Sequence, residues 1–204
     1  DIEVAEAKGG ALPNPTKANK EIISVSFAAN DGLQLVYCLD REDWTTGQLH
    51  PDFPANGEIY FFKDEKELLK ETFRLIWKYP IVLTFNGDNF DNTYLYHRAR
   101  KLRIPRSQNP IYTRRGGGMV SRYTEYKHGL HIDIFQFFAN RSIKGYAFGG
   151  AYLRNSLEDI SSSLLGEGKI KHEGELIGEM SLADLIHYNL VDSIRTLQLT
   201  TFND

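Results

Sequence analysis

The sequence predicts an α/β fold in which a mixed β-sheet is flanked by α-helices. Strand-like apolar segments dominate the first 62 residues, and helical patterns then alternate with further strands. That order favours a helix-covered mixed sheet over a sandwich of two sheets. With 204 residues, 41% of them hydrophobic, the chain can bury one sizeable core. We therefore expect residues 1–204 to form a single domain.

The first predicted elements are strands. Residues 1–4 are typical of a strand end, but the apolar residues that usually begin such a strand are missing. We therefore expect the chain to be part of a longer polypeptide. Residues 21–29 and 33–39 predict two strands joined by Asn30-Asp-Gly32, a strong tight-turn signal. Residues 57–62 predict another strand.

Helical periodicity begins after these strands. Asp64 is placed to cap a helix that reaches about Trp77. The apolar line of that helix comprises Leu68, Leu69, Phe73, Leu75 and Ile76. Proline at position 80 ends it. Residues 81–85 then predict a short buried strand, and a helix is expected from residue 90 or 91 to about residue 102.

The second half predicts a strand pair and three more helices. Residues 111–133 are typical of paired strands or a projecting hairpin, and Gly116-Gly-Gly118 predicts a flexible tip. A short helix is expected at 134–138. Capping boxes at Ser156 and Ser181 open helices to about residues 165 and 201.

The composition excludes several classes of protein. Cys38 is the only cysteine, so no intramolecular disulfide can form, and its apolar neighbours place it in the core. The chain has neither an apolar run of membrane-spanning length nor a secretory signal. We therefore expect an intracellular protein, cytoplasmic if the source is prokaryotic, with no membrane partner. The sequence does not indicate the oligomeric state.

Charge is unevenly distributed along the chain. The stretch from Arg98 to Lys127 holds nine basic residues and one acid, whereas the rest of the chain has a net charge of −11. The basic stretch is either a local phosphate-binding surface or a solvated helix face followed by a charged hairpin. Charge alone does not decide between these two.

Four acidic residues in three short motifs are the strongest functional signal. They are Asp1 and Glu3 in Asp-Ile-Glu, Asp91 at the end of Asn-Gly-Asp-Asn-Phe-Asp, and Asp192 in Tyr-Asn-Leu-Val-Asp. Side chains two apart on a strand share a face, roughly 7 Å apart. On a helix, Tyr188 and Asp192 also share a face. Phosphodiester cleavage by two metal ions requires about four carboxylates from separate elements.

Each motif alone has a simpler explanation. Asp1 and Glu3 could be an acidic strand end, and Asp91 could cap a helix. Tyr188 could be a half-buried aromatic residue, with Asp192 paired to an arginine. However, a carboxylate on a partly apolar helix line costs free energy unless a charge or a metal meets it.

Together, the motifs identify a family. Their order, residue types and spacings of 90 and 101 residues resemble the 3′→5′ exonucleases with four acidic residues and a tyrosine. Within these, the chain is most similar to the proofreading domain of family B DNA polymerases. The resemblance implies a ribonuclease-H-like fold, with the glycine-rich basic stretch as a β-hairpin inserted between the second and third motifs. It also implies that residues 1–204 are one exonuclease domain of a longer DNA polymerase.

The resemblance implies a role for each motif residue. Asp1 bridges two divalent ions, Glu3 and Asp192 hold the ion that activates water, and Asp91 supports the second ion. Tyr188 orients the attacking water. Magnesium suits such oxygen ligands, and manganese is the expected substitute. A metal-bound water is acidic enough to need no histidine base.

DNA contacts are expected at two places. The resemblance implies that Asn86 and Phe90 contact or shape the site for terminal nucleotides, although Phe90 could equally be a core residue. Phosphate contacts and stacking surfaces are available in one stretch: Arg114, Arg115, Arg122, Tyr112, Tyr123 and Tyr126. His128 and His131 are interpreted as polar strand residues, because no Cys/His cluster has zinc-site spacing.

The predicted reaction is removal of nucleotides from single-stranded or frayed DNA 3′ ends, with the polymerase domain of the same chain as a partner. Two alternatives stay open. One is a non-catalytic single-stranded-DNA-binding domain of the same fold. The other is an exoribonuclease of the same superfamily.

Overall fold

The computed structural model describes residues 1–5, 13–40, 49–116, 122–166 and 180–201. Within these ranges the strands are β1 (Ile2–Val4), β2 (Ile22–Ala28), β3 (Gln34–Leu39), β4 (Glu58–Phe62), β5 (Ile81–Thr84), β6 (Ile111–Arg115), β7 (Arg122–Tyr126) and β8 (Leu130–Asp133). The α-helices are α1 (Glu65–Ile76), α2 (Asp91–Lys101), α3 (Ile134–Ala139), α4 (Leu157–Leu165) and α5 (Leu182–Gln198).

The main sheet has four strands in the order β1-β2-β3-β4. The β1/β2 and β2/β3 pairs are antiparallel, whereas β3 and β4 are parallel. Gly32 adopts φ +94° in the turn between β2 and β3, a conformation that glycine reaches without steric cost. The mixed sheet predicted from the sequence is therefore confirmed.

Helices cover both faces of this sheet. On one face, Ile186 and Leu190 of α5 are fully buried against Val36 and Cys38 of β3. On the other face, four residues of the predicted α1 line pack into the same cluster as Val25 of β2: Leu68, Leu69, Phe73 and Ile76. The core position predicted for Cys38 is therefore confirmed.

Local capping sets the helix starts. The carboxylate of Asp64 accepts a hydrogen bond from the Glu67 N–H, and the hydroxyls of Ser156 and Ser181 each accept one from the N–H three residues later. Gly166 ends α4 at φ +70°. These side chains satisfy backbone donors that a helix start leaves unpaired. No helix in the described part of the chain is long and apolar enough to cross a membrane.

The β5 strand leads directly into the second motif. The strand is less buried than the sequence predicted. Ile81 is 55% exposed and the other three residues of β5 are half-buried. Among the described strands, β5 pairs with β8 alone. Its other side borders a largely apolar cavity of about 330 Å³ between β5 and β2, which explains the exposure.

The predicted strand segment at 111–133 contains three strands. β6 and β7 pair antiparallel, with Ile111 opposite Tyr126. β8 instead pairs in parallel with β5, so that Asp133 lies opposite Thr84. Residues 117–121, which include most of the predicted glycine tip, lie outside the described residues. The insertion of a hairpin at this place stays a prediction.

Candidate active site

The three acidic motifs meet at one end of the main sheet. The Ile2 N–H donates a hydrogen bond of 3.1 Å to Asp91 Oδ1, across 89 positions of sequence. The side-chain amide of Asn189 donates one of 2.8 Å to Asp1 Oδ2, across 188 positions. β1, α2 and α5 are therefore joined directly through motif residues.

Asp91 is the first residue of α2, but its carboxylate does not act as the helix cap. Phe90 occupies the cap position and contributes no side-chain hydrogen bond there. The Asp91 side chain instead points to β1, whose N–H it accepts, and is 7% exposed. Because the carboxylate bonds to β1 as well as to its own N–H, a capping role alone does not account for this residue.

Tyr188 and Asp192 lie on the same face of α5 and interact directly. The Tyr188 hydroxyl donates a hydrogen bond to the Asp192 carboxylate. Burial and the nearby carboxylates of Asp192 and Glu3 raise the pKa of Tyr188 above its ordinary value. The hydroxyl is therefore fully protonated at neutral pH and is available only as a donor or acceptor.

The carboxylates repel one another in a buried space. Burial, and then the charges of Asp192 and Asp91, raise the pKa of Glu3 to about 8. Burial likewise raises the pKa of Asp192 to about 6, although the Tyr188 hydrogen bond opposes this shift. Burial also raises the pKa of Asp91. Such shifts mean that negative charge is accommodated poorly here, even though the Asp1 ammonium lies near these carboxylates and opposes the shifts.

The side chains of this cluster fit a hard divalent cation in chemical type. Asp1, Glu3, Asp91 and Asp192 offer only oxygen donors, which magnesium and manganese prefer. Within the described residues, no three acidic, histidine or cysteine side chains already converge on one ion position. The donors therefore lie in one region but are not already arranged around one ion.

Asn189 is a site residue that the sequence did not reveal. It is fully buried, and its Oδ1 accepts a hydrogen bond of 3.0 Å from Ser24 of β2. Because that contact fixes the orientation of the amide, Nδ2 is aimed at Asp1. One hint of this role was present in the sequence: Asn189 is a polar residue between Tyr188 and Asp192 on α5, three positions after the buried Ile186.

Asp133 is a second unpredicted residue, and it holds the turn of the second motif. Its carboxylate accepts the N–H groups of Asn86 at 2.7 Å and Asp88 at 3.0 Å. Asn86 is in the left-handed region at φ +65°. A Cβ at Gly87 would lie 2.4 Å from the Thr84 hydroxyl, so the turn requires glycine there. Asp133 also caps α3, which is all that its sequence context indicates.

Two of the predicted DNA-contacting residues lie beside the motif turn. Asn86 is half-buried and its Oδ1 accepts a hydrogen bond from the Asn89 side chain. Phe90 is half-buried, packs on the main core and lies 5.8 Å from the ring of Tyr94. Phe90 therefore has a core contact, while part of its ring stays accessible.

The β6/β7 pair carries the other predicted contacts. Arg114 and Arg115 are exposed, and Arg114 forms an ion pair of 3.0 Å with Glu125. Arg122 is half-buried, and Tyr123 is 45% exposed. The β6/β7 pair therefore carries Arg114, Arg115, Arg122 and Tyr123 with at least part of each side chain accessible.

The two remaining tyrosines of this stretch differ. Tyr112 is exposed, with the Lys127 ammonium 5.3 Å from its ring centroid. Tyr126 was expected to offer a stacking surface, and this expectation is wrong. It is buried, and its hydroxyl donates to Asn92 Oδ1 at 2.9 Å, because alternation along β7 turns it inward.

Comparison with known proteins agrees with this geometry. Residues 1–147 match the family model described as DNA polymerase family B, exonuclease domain. The chain is 40% identical over its whole length to DNA polymerase 1 of Sulfolobus acidocaldarius and 41% identical to DNA polymerase 1 of Sulfurisphaera ohwakuensis, covering 22% of each. It is 36% identical to DNA polymerase 1 of Aeropyrum pernix, covering 20% of that protein.

The chain thus spans about a fifth of the length of the curated relatives it matches. The family match extends from the first motif through the second and past Asp133. The chain therefore belongs to the exonuclease domains of the family B DNA polymerases, which are 3′→5′ exonucleases.

Proposed function

We propose that residues 1–204 act as a single proofreading domain that removes nucleotides from single-stranded or frayed DNA 3′ ends by metal-dependent hydrolysis. The observation that carries this proposal is the meeting of β1, α2 and α5, which gathers the motif residues at one end of the sheet. A frayed strand offers the unpaired 3′ end that such a site requires, whereas a base-paired 3′ end stays within the duplex.

Asp1, Glu3, Asp91 and Asp192 would hold two divalent ions, magnesium in the cell, with manganese as the substitute. Bound metal supplies positive charge and lowers the pKa of a water ligand, so that hydroxide is available near neutral pH. The raised pKa values of Glu3 and Asp192 support this assignment, because a cation would offset the burial and the neighbouring negative charges that raise them.

Tyr188 would orient the attacking water. Its hydroxyl donates to Asp192, and its oxygen retains lone pairs that can accept a hydrogen bond from water. Because its pKa is raised, it cannot take the water proton at neutral pH. Tyr188 would therefore assist the reaction by positioning the water and not by removing its proton.

The DNA strand would approach across the motif turn and the β6/β7 pair. The residues proposed to contact it are Asn86, Phe90, Arg114, Arg115, Arg122 and Tyr123. Exposed arginines beside an exposed tyrosine are typical of surfaces that follow a single-stranded backbone and stack its bases. The longer relatives are DNA polymerases, so we also infer a polymerase domain in the same polypeptide as the source of the 3′ end.

The test uses DNA and RNA oligonucleotides of one sequence, each labelled at its 3′-terminal nucleotide, with magnesium or with EDTA. The expected product is the labelled nucleoside 5′-monophosphate, released from DNA only with magnesium. Asp192→Asn should abolish release, whereas Asp40→Asn, at an exposed residue beyond β3, should not. Equal or faster release from RNA would favour the exoribonuclease alternative. Binding without release would favour a non-catalytic DNA-binding domain.

A further inference from the structure

The β7 strand is bonded to the turn that precedes Asp91. The N–H and the hydroxyl of Thr124 both donate to Asp88 Oδ1, each at 2.7 Å. Asp88 is 5% exposed, and its carbonyl accepts the hydroxyl of Thr93 at 2.6 Å. Asp88 therefore links β7 to the first turn of α2 through both its side chain and its main chain.

His131 of β8 joins the same buried group through both of its ring nitrogens. Its Nδ1 lies 3.0 Å from the carbonyl oxygen of Thr124. Its Nε2 lies 3.0 Å from Nδ2 of Asn92. These two contacts hold the imidazole ring in one orientation between β7 and α2.

Asn92 completes the group on the other side of Asp91. Its Nδ2 also donates to the Thr124 hydroxyl at 3.1 Å, and its Oδ1 accepts the hydroxyl of Tyr126 at 2.9 Å. Asn92 is 2% exposed. Asp91 is thus flanked by Asp88 and Asn92, and both are bonded to β7.

We propose that β7 is a positioning element for Asp91, with the Thr124 hydroxyl as its central contact. This inference rests on the proposed function, in which Asp91 supports a metal ion. A buried hydroxyl that bonds two residues on either side of Asp91 restricts the position of its main chain, whereas the Asp91 carboxylate itself is bonded to β1. The strand that carries Arg122 and Tyr123 therefore also sets the geometry of one metal-binding carboxylate.

Manganese binding to the protein without DNA tests this proposal, measured by the electron paramagnetic resonance signal of free Mn²⁺. Thr124→Val removes the hydroxyl and keeps the size of the side chain. We expect it to weaken Mn²⁺ binding about tenfold, at the lower end of the 10- to 100-fold typical of residues that orient metal ligands. Thr124→Ser, which restores the hydroxyl, should bind within about threefold of the wild type by the same reasoning.

Thr113→Val is the matched control. Thr113 lies opposite Thr124 on β6 but is not a member of this group, so its replacement should leave Mn²⁺ affinity unchanged. If Thr124→Val does not unfold cooperatively, Tyr126→Phe replaces it. That variant removes one bond to Asn92, and we expect it to weaken binding about threefold.

A double-mutant cycle shows whether the effect passes through Asp91. In an Asp91→Asn background, Thr124→Val should cause no further loss of Mn²⁺ affinity. Wild-type affinity in Thr124→Val, or an undiminished effect in the Asp91→Asn background, overturns the positioning role while the proposed function stands. Wild-type affinity in Asp91→Asn alone overturns both, because Asp91 would then support no metal.

Discussion

Replacing Glu3 with glutamine should stabilise the metal-free protein at neutral pH, although it removes a residue of the proposed metal site. Glu3 is 6% exposed on β1 and faces the charges of Asp192 and Asp91. Glutamine keeps nearly the same shape without the charge. The substitution therefore removes the cost of burying this charge, and its repulsion by Asp192 and Asp91, which only the folded state contains.

The magnitude follows from the pKa of Glu3, which is raised from 4.5 to about 8. The folded state then binds the Glu3 proton more tightly than the unfolded state, so metal-free stability falls as pH rises from about 4.5 to about 8. At about 1.4 kcal/mol per pKa unit, the cost near pH 7.5 is on the order of 3 kcal/mol. Glu3→Gln should recover most of it at pH 7.5 and almost none at pH 4.5.

Urea denaturation in EDTA at both pH values measures the difference. Glu21→Gln is the control, because Glu21 is an exposed acid immediately before β2, the partner strand of β1. Saturating Mn²⁺ should reverse the order at pH 7.5, by stabilising the wild type more than the variant. A Glu3→Gln protein that is less stable than the wild type at pH 7.5 in EDTA would refute the repulsion argument. So would an equal gain at both pH values.

Three further predictions concern catalysis, DNA binding and stability. Tyr188→Phe should slow single-turnover cleavage at saturating Mn²⁺ at least about tenfold, because the orientation of water is lost; a wild-type rate would contradict that role. Replacing Arg114 and Arg115 together with glutamine should reduce the slope of log affinity against log salt by about 1.4, or about 0.7 per phosphate contact on single strands. An unchanged slope would count against phosphate contacts at these positions. Thr72→Val should raise the free energy of unfolding by about 1 kcal/mol, because the fully buried Thr72 hydroxyl has no hydrogen-bond partner among the described residues. A urea titration that gives a lower value would contradict this.

Features that depend on local sequence could be predicted. The caps at Asp64, Ser156 and Ser181 were identified correctly, because each satisfies an N–H only three residues away. The turn at Gly32 and the apolar line of α1 follow from the same short-range rules. The mixed sheet could be inferred from the order in which these elements occur.

Contacts between strands that are far apart in the sequence could not be predicted from these local patterns. His131 stands between Leu130 and Ile132 in the sequence, and its role is evident only when β8 pairs with β5 and β7 lies beside β8. The same holds for Asp133, which looks like a helix cap yet also holds the motif turn. Tyr126 and Tyr123 alternate along β7, but packing against α2 decides which of them faces inward.

In the candidate site too, some residues could be predicted from the sequence and others could not. The family resemblance of the motifs placed Asp91, Tyr188 and Asp192 in one site, and the structure brings α2 and α5 each into contact with β1. Asn189 could not be assigned, because its role depends on Ser24 of a strand 165 positions away. Residues that orient a motif side chain carry no fixed spacing of their own, so they are found only in the folded arrangement.

The most direct test of the exonuclease site compares the wild type with Asp91→Asn on a 5′-labelled single-stranded DNA oligonucleotide, with Mg²⁺, with Mn²⁺ and with EDTA. A ladder that shortens from the 3′ end, requires metal and is absent in the variant is the predicted result. An identical ladder from Asp91→Asn, or from the wild type in EDTA, would contradict the assignment of a metal-dependent site at these carboxylates.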